Sequence, residues 1–265
     1  MNLKRIRLLV AKEVLLFVRG KKVLLFLFAI LALGVLQIAL IYAFNFGKET
    51  FNQFLYSTYN TYNQFFAIAM AGVLAGVICG EKEIKTWNFY KIKTFTKHEI
   101  VTSKILFYNA IALTTMAFVY LIIMLIGTNI LNLENTLKYK EVLFVLLFLL
   151  ASVFTIVNME IFVSGISSKT STSALSIVIL WFSILIINVL VPPYLGKGYL
   201  APFAQNSFQT SVVHRLLDIQ GYVIPFENLT QYPTNAEVLT AFLLSISIGL
   251  VFIVGALIFT KNGDE

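Results

Sequence analysis

Runs of about 20 apolar residues recur along this chain, from VLLFLFAILALGVLQIALIYAF near the start to VLTAFLLSISIGLVFIVGALIF near the end. They limit its fold more than any motif does, because a hydrocarbon core about 30 Å thick takes about 20 apolar residues per helix. The runs lack the period-two alternation of barrel strands. Of the 265 residues, 58% are apolar and only 12% charged, and the mean hydropathy is +0.85. The expected fold class is an all-α integral membrane protein forming a single transmembrane domain over 1–265.

Six spans are expected, at about 23–44, 64–79, 105–131, 142–166, 174–191 and 239–260, and charge counting orients them. With both termini cytosolic, seven basic residues up to Lys22, six between Gly80 and Lys104, and Lys169 and Lys261 lie inside, 15 of the 20 in the chain. Lys48, Lys138, Lys140, Lys197 and Arg215 lie outside. This is the bias of the positive-inside rule, so the net charge of +7 speaks of loops across a membrane and not of nucleic acid.

Residues 1–20 read as an amphipathic interfacial helix, with Leu3, Ile6, Val10, Val14 and Phe17 on one stripe and Arg5, Lys12 and Arg19 on another. Tyr56, Tyr59 and Tyr62, in the polar link after the first span, fall where an interfacial aromatic belt would sit. Gly72, Gly76 and Gly80 repeat every four residues and form a ridge that lets another helix approach. Pro192 and Pro193 end the fifth span, and residues 192–234 read as an extracytoplasmic loop with a short interfacial or re-entrant piece near Ser207 to Leu217. The sixth span opens on a capping box made by Thr234 and Glu237.

The longest polar stretch between two apolar runs is Gly80 to Lys104, GEKEIKTWNFYKIKTFTKHEIVTSK. Glu81 to Lys91 has an acidic start and a basic end, suited to a short helix aligned with its dipole. Thr96 and Glu99 form a second capping box, so a new helix starts at Thr96 and runs unbroken into the third span, with a bend near Lys93 to Phe95. Glu160 is the ionisable residue deepest within a span, with Asn158 beside it. They mark an interhelical bond or a substrate path, and Asn188 marks a helix-to-helix hydrogen bond.

Catalysis has little to stand on. Cys79 is the single cysteine, which excludes an intrachain disulfide, and His98 and His214 fall on opposite sides of the membrane, so no metal is expected. Ser164–Gly165 lacks a basic partner, and the phosphate-binding GxxxxGK[ST] pattern does not occur.

The order and spacing of these features resemble the type-2 family of ATP-binding-cassette (ABC) permeases. The family's first cytosolic loop runs through an acidic pair, Gly-Thr, a leucine-rich turn, Pro-x-Ser-Arg, an aliphatic pair and Gly-Lys opening the third span. The matching positions here are Glu81 and Glu83, Lys85 and Thr86, Trp87 to Lys91, Thr94, Thr96, Lys97, Ile100 with Val101, and Ser103 with Lys104. Lys85, Thr94 and Ser103 replace the family's glycine, proline and glycine.

The resemblance implies that Glu81, Glu83, Thr86, Trp87, Tyr90, Lys91, Thr96, Lys97, Glu99 and Lys104 belong to a coupling region within 80–104 that contacts a separate ATPase subunit. It implies that ATP and Mg bind to that partner, present in two copies, and that a second permease chain, identical or homologous, completes the assembly. A prokaryotic plasma membrane, multi-pass topology and export of a peptide, drug or lipid-like substrate follow as expectations. Two other readings stay open: a stand-alone secondary transporter with Glu160 as coupling carboxylate, and an ATP-driven subunit acting on an extracytoplasmic partner without moving solute.

Overall fold

The computed structural model describes residues 2–20, 22–43, 51–86, 90, 95–130, 139–190, 212–213, 216–217 and 234–260. Among them every regular element is a helix: α1 (Leu3–Arg19), α2 (Lys22–Ala43), α3 (Phe51–Leu74), α4 (Cys79–Glu83), α5 (Lys97–Ile130), α6 (Tyr139–Ile166), α7 (Thr170–Leu190) and α8 (Asn235–Phe259). Four stretches are long and apolar enough to cross a membrane: 51–83 taken through its break, α5, α6 and α8. A fifth is added if α1 and the apolar part of α2 count as one bent span, while the apolar stretch Thr170–Ile184 is shorter. This is the build of a multi-pass membrane protein.

Contacts between the helices give their directions. Gln37 of α2 reaches Thr58 of α3 at 2.8 Å and the Tyr62 hydroxyl donates to the Ile30 carbonyl at 2.9 Å, so these helices are antiparallel. On α5 and α6, Asn109 meets Asn158 while Tyr120 donates to the Val142 carbonyl, again antiparallel. The Trp181 indole of α7 donates to the Gln64 carbonyl, near the middle of α3, and Thr170 packs by Gly76 just past its end. By contrast α6 and α8 run parallel: a Cβ on Gly249 would come within 2.5 Å of the Phe154 ring, and one on Gly255 within 3.1 Å of the Phe162 ring. Missing side chains let these two backbones approach closely. Helix α6 is the hub of the bundle, in contact with α3, α4, α5, α7 and α8.

The capping rules decide where helices start. Thr234 and Glu237 form a complete capping box ahead of α8. The Thr96 N–H donates to Glu99 at 3.0 Å and the Glu99 N–H to the Thr96 hydroxyl at 3.3 Å, so α5 starts at Lys97 and continues unbroken to Ile130.

Two expectations change. The link holding Tyr56, Tyr59 and Tyr62 is part of α3, and Tyr59 and Tyr62 are fully buried in the core instead of anchoring an interface. Their hydroxyls find partners inside the bundle, which removes the desolvation cost that would hold a tyrosine at a wet boundary. The buried stripe of α1 is Ile6, Leu9, Glu13 and Phe17; Leu3 and Val14 are exposed. Nearly all of residues 192–234, His214 and Arg215 included, lie outside the described set. Val212, Val213, Leu216 and Leu217 are described and buried, with the Leu217 carbonyl accepting from Asn52 at 2.6 Å.

Candidate functional site

One end of the bundle gathers α1, α4, the start of α5, the α6–α7 turn and the end of α8. Its pivot is a break in the helical path after α3. Between Ala75 and Ile78 the chain leaves regular α geometry, which frees backbone groups that cost energy if buried unpaired. Ser164 of α6 repairs this. Its hydroxyl donates to the Ala75 carbonyl at 2.7 Å and accepts from the N–H groups of Ile78 and Cys79 at 2.9 and 3.2 Å. A hydroxyl, donor and acceptor at once, is suited to the task.

The break turns the chain into α4, where three consecutive charged residues each hold a different part of the bundle. Residues adjacent on a helix point about 100° apart, so they radiate into separate sectors. Glu81 faces α1 and α5: it takes Lys12 at 2.7 Å, Lys104 at 3.2 Å and the Tyr90 hydroxyl at 2.9 Å. Lys82 donates to the Gly165 carbonyl at the end of α6. Glu83 accepts from the Thr170 N–H and hydroxyl at the start of α7, at 3.1 and 2.8 Å. A cation thus sits on a helix C-terminus and an anion on the next N-terminus, each matched to the local dipole. Gly76 and Gly80 leave room for Thr170, whose side chain would lie 3.3 and 3.5 Å from their added Cβ atoms, while Gly72 has nothing within 4 Å.

Behind Glu81 lies a buried lattice of two acids and two lysines. Lys104 Nζ is 2.9 Å from Glu13 and 3.2 Å from Glu81, with 2% of its side chain exposed. Lys12 also approaches Glu13 at 3.7 Å and lies 4.3 Å over the Tyr90 ring. A buried lysine is tolerated only when its charge is compensated and its donors are used. Glu13, on α1, is the member that sequence reasoning missed. Its signal was an acid at the i+4 and i−4 positions of Leu9 and Phe17, on a helix whose other charges are all basic.

A second set of contacts ties the remaining ends. Glu99 accepts from the Asn2 N–H at 3.1 Å and lies 3.9 Å from Arg5, while Lys97 donates to the carbonyls of Ile258 and Thr260 at 3.1 Å. Glu83 and Glu99 lie at helix ends beyond the expected spans, and both titrate below the usual glutamate range. For Glu83 the main cause is the Thr170 N–H; for Glu99 it is the N–H of Thr96, then that of Asn2.

The expected coupling region, 80–104, therefore divides. Glu81, Tyr90, Glu99 and Lys104 are buried, at 9%, 3%, 2% and 1% exposure, and are engaged within the chain. Glu83, Ile84, Lys85, Thr96 and His98 are exposed, and Thr86 and Lys97 are half-buried. Trp87 and Lys91 lie outside the described residues. Of the helix expected over 81–91, α4 covers the start and closes at Ile84, and Thr86 and Tyr90 are helical again; between them Lys85 takes a left-handed conformation with φ 59°. This is the position just beyond the cap, where glycine is usual.

Deeper in the bundle, Asn109 and Asn158 form a reciprocal amide pair at 2.9 and 3.1 Å, an interhelical bond between α5 and α6. Glu160 has no exposed surface, and neither carboxylate oxygen has a hydrogen-bond partner. Asn188 falls in α7, with its side chain outside the described set. Among the described residues, no group of three His, Cys, Asp or Glu is placed to hold a metal. No protein-family model matches the chain, and no curated protein does.

Proposed function

We propose that this chain is the membrane-spanning subunit of an ABC transporter, with six spans, both termini cytosolic, and export as its activity. Its partners are a cytosolic ATPase in two copies, carrying ATP and Mg, and a second permease chain. The observation that carries this reading is the clasp around Glu81, Lys82 and Glu83. A segment whose only task is to link two spans has no need of charged bonds to α1, α5, α6 and α7. Such bonds make the segment a lever: force applied at its exposed tip, Ile84 and Lys85, reaches the ends of four helices together.

The charge pattern agrees with this orientation, because the clasp end carries α1 and the 80–104 segment, where most of the basic residues lie. Proton- or ion-driven transport offers no reason for a stiffened cytosolic lever. The test is co-purification in mild detergent with an ATPase of the native membrane. Substitutions at the tip, Ile84→Asp and Lys85→Glu, are expected to release the ATPase and leave the melting temperature unchanged. Absence of any ATPase, or full retention by the double variant, would sink the proposal. ATPase stimulation in lipid by amphipathic peptides, drugs or lipid-like compounds then narrows the substrate.

A further inference from the structure

The seam between α3, α6 and α7 holds two polar groups that nothing in the clasp accounts for. Glu160 of α6 and Ser173 of α7 both have no exposed surface, and the carboxylate oxygens and the hydroxyl are without hydrogen-bond partners. Glu160 lies one turn before Ser164 and three residues before Val163, on the face that meets α3. Ser173 lies between Thr170, which packs by Gly76 and Gly80, and Ile177, which packs with Ala71, Ala75 and Val163. Each is therefore on the stripe of its helix that faces α3, and at the same end of the bundle. Counting rises, Glu160 is about 9 Å from the end of α6 and Ser173 about 4.5 Å from the start of α7. Across from them the end of α3 and the break after it offer Ala71, Ala75 and Gly76, which have no polar side chain. The hydroxyls one turn away are taken: Ser164 is committed to the Ala75 carbonyl and two N–H groups, and Thr170 to Glu83.

We propose that this seam binds a monovalent cationic group, an ammonium or a small alkali ion, between the Glu160 carboxylate and the Ser173 hydroxyl. The donor set gives the sign and the charge. An ionised carboxylate only accepts hydrogen bonds and a hydroxyl has lone pairs to offer, so a positive donor or ion satisfies both oxygen groups and cancels the buried charge. One carboxylate matches one positive charge, whereas a divalent ion would leave a net positive charge buried. The site stands apart from the proposed pairing with an ATPase and is tested on this chain alone.

Dicyclohexylcarbodiimide, an apolar reagent that reaches carboxyl groups in apolar surroundings, is applied to the detergent-purified full chain, and its adduct at Glu160 is followed by peptide mass spectrometry. Decylammonium below its micellar concentration is expected to slow labelling by about tenfold, the equivalent of one charge-assisted hydrogen bond, while decanol has no effect. Sodium or potassium chloride, set against a bulky-cation salt of equal ionic strength, separates a free ion from an ammonium head; protection by either supports the site. Equal slowing by decylammonium and decanol, or none by any cation, overturns it. Ser173→Ala is expected to keep the labelling and weaken the protection by about threefold to fivefold, one neutral hydrogen bond. Unchanged protection in that variant overturns the two-oxygen site even if Glu160→Gln fails to fold.

Discussion

Replacing Lys104 with methionine is the sharpest test of the clasp. Methionine keeps the length and most of the volume of the side chain but removes the charge at the centre of the lattice. Two carboxylates, Glu13 at 2.9 Å and Glu81 at 3.2 Å, then face each other with only Lys12 to offset them. Breaking a buried ion pair from one side costs about 3–5 kcal/mol, because the abandoned charge stays buried. Lys12, with 30% of its side chain exposed and 2.7 Å from Glu81, offsets part of that, so the lower end applies. A loss of about 3 kcal/mol corresponds to a fall in Tm of about 6–12 °C for a domain of this size. The assay is a thermal melt in detergent, read by loss of the monodisperse peak. Adding Glu13→Gln to Lys104→Met restores neutrality, and the pair is expected to recover half or more of the loss, a coupling of at least about 1.5 kcal/mol once the cost of Glu13→Gln alone is included. If Lys104→Met costs less than about 1 kcal/mol, or if the two substitutions simply add, the lattice does not hold α1 to the bundle.

Other expectations follow from single positions. Lys85→Gly relieves a left-handed φ of 59° and is expected to stabilise by about 1 kcal/mol, seen as a Tm rise of a few degrees. Gly72→Ala meets nothing within 4 Å and is expected to be neutral or to stabilise by up to about 1 kcal/mol. Gly34→Ala runs into the Ile123 side chain and comes within 2.7 Å of the Tyr62 hydroxyl, so it is expected to lower Tm; the reverse ranking of these two variants would refute the α2–α3–α5 packing. Stability should also depend on acid. Glu83 and Glu99 have folded pKa values below the unfolded value, so their contribution is complete above about pH 4.3 and is lost as pH falls through the folded values. Melts of Glu83→Gln and Glu99→Gln against pH should show a flatter acid limb than the parent, and an unchanged limb would remove these two groups from the account.

Local rules were the legible part of this sequence. A capping box needs four residues, all in view, so the starts of α5 and α8 could be read from Thr96 with Glu99 and from Thr234 with Glu237. What stayed hidden was each feature whose partner lies far along the chain. The segment from Phe51 to Tyr62 reads as a polar link because it is rich in Asn, Gln, Ser, Thr and Tyr. It is helix because α2 supplies Gln37 and the Ile30 carbonyl to receive those groups. In α1, Leu8, Leu9, Val10, Val14, Leu15 and Leu16 leave neighbouring stripes almost equally apolar, so periodicity alone does not choose among them. The choice falls to Glu13, which turns toward Lys104 and takes Leu9 with it. Ser164 has no basic partner to make it a nucleophile, and its actual work, mending the break at 75–78, is invisible until the break itself is seen.

The pairing of Glu13 with Lys104 also sets an order on biosynthesis. Helix α1 leaves the ribosome holding a carboxylate whose buried counterion lies 91 residues further on. At about 5–20 residues per second, α1 waits about 5–18 s for that lysine, and must rest elsewhere meanwhile. Its remaining surface, with Leu8, Leu15 and Val18 exposed alongside Lys4, Arg5 and Arg7, is chemically suited to an anionic lipid surface. Helix α1 is thus locked in place only after α2, α3 and α4 have been made, and its docking reports that the start of α5 has reached the bundle.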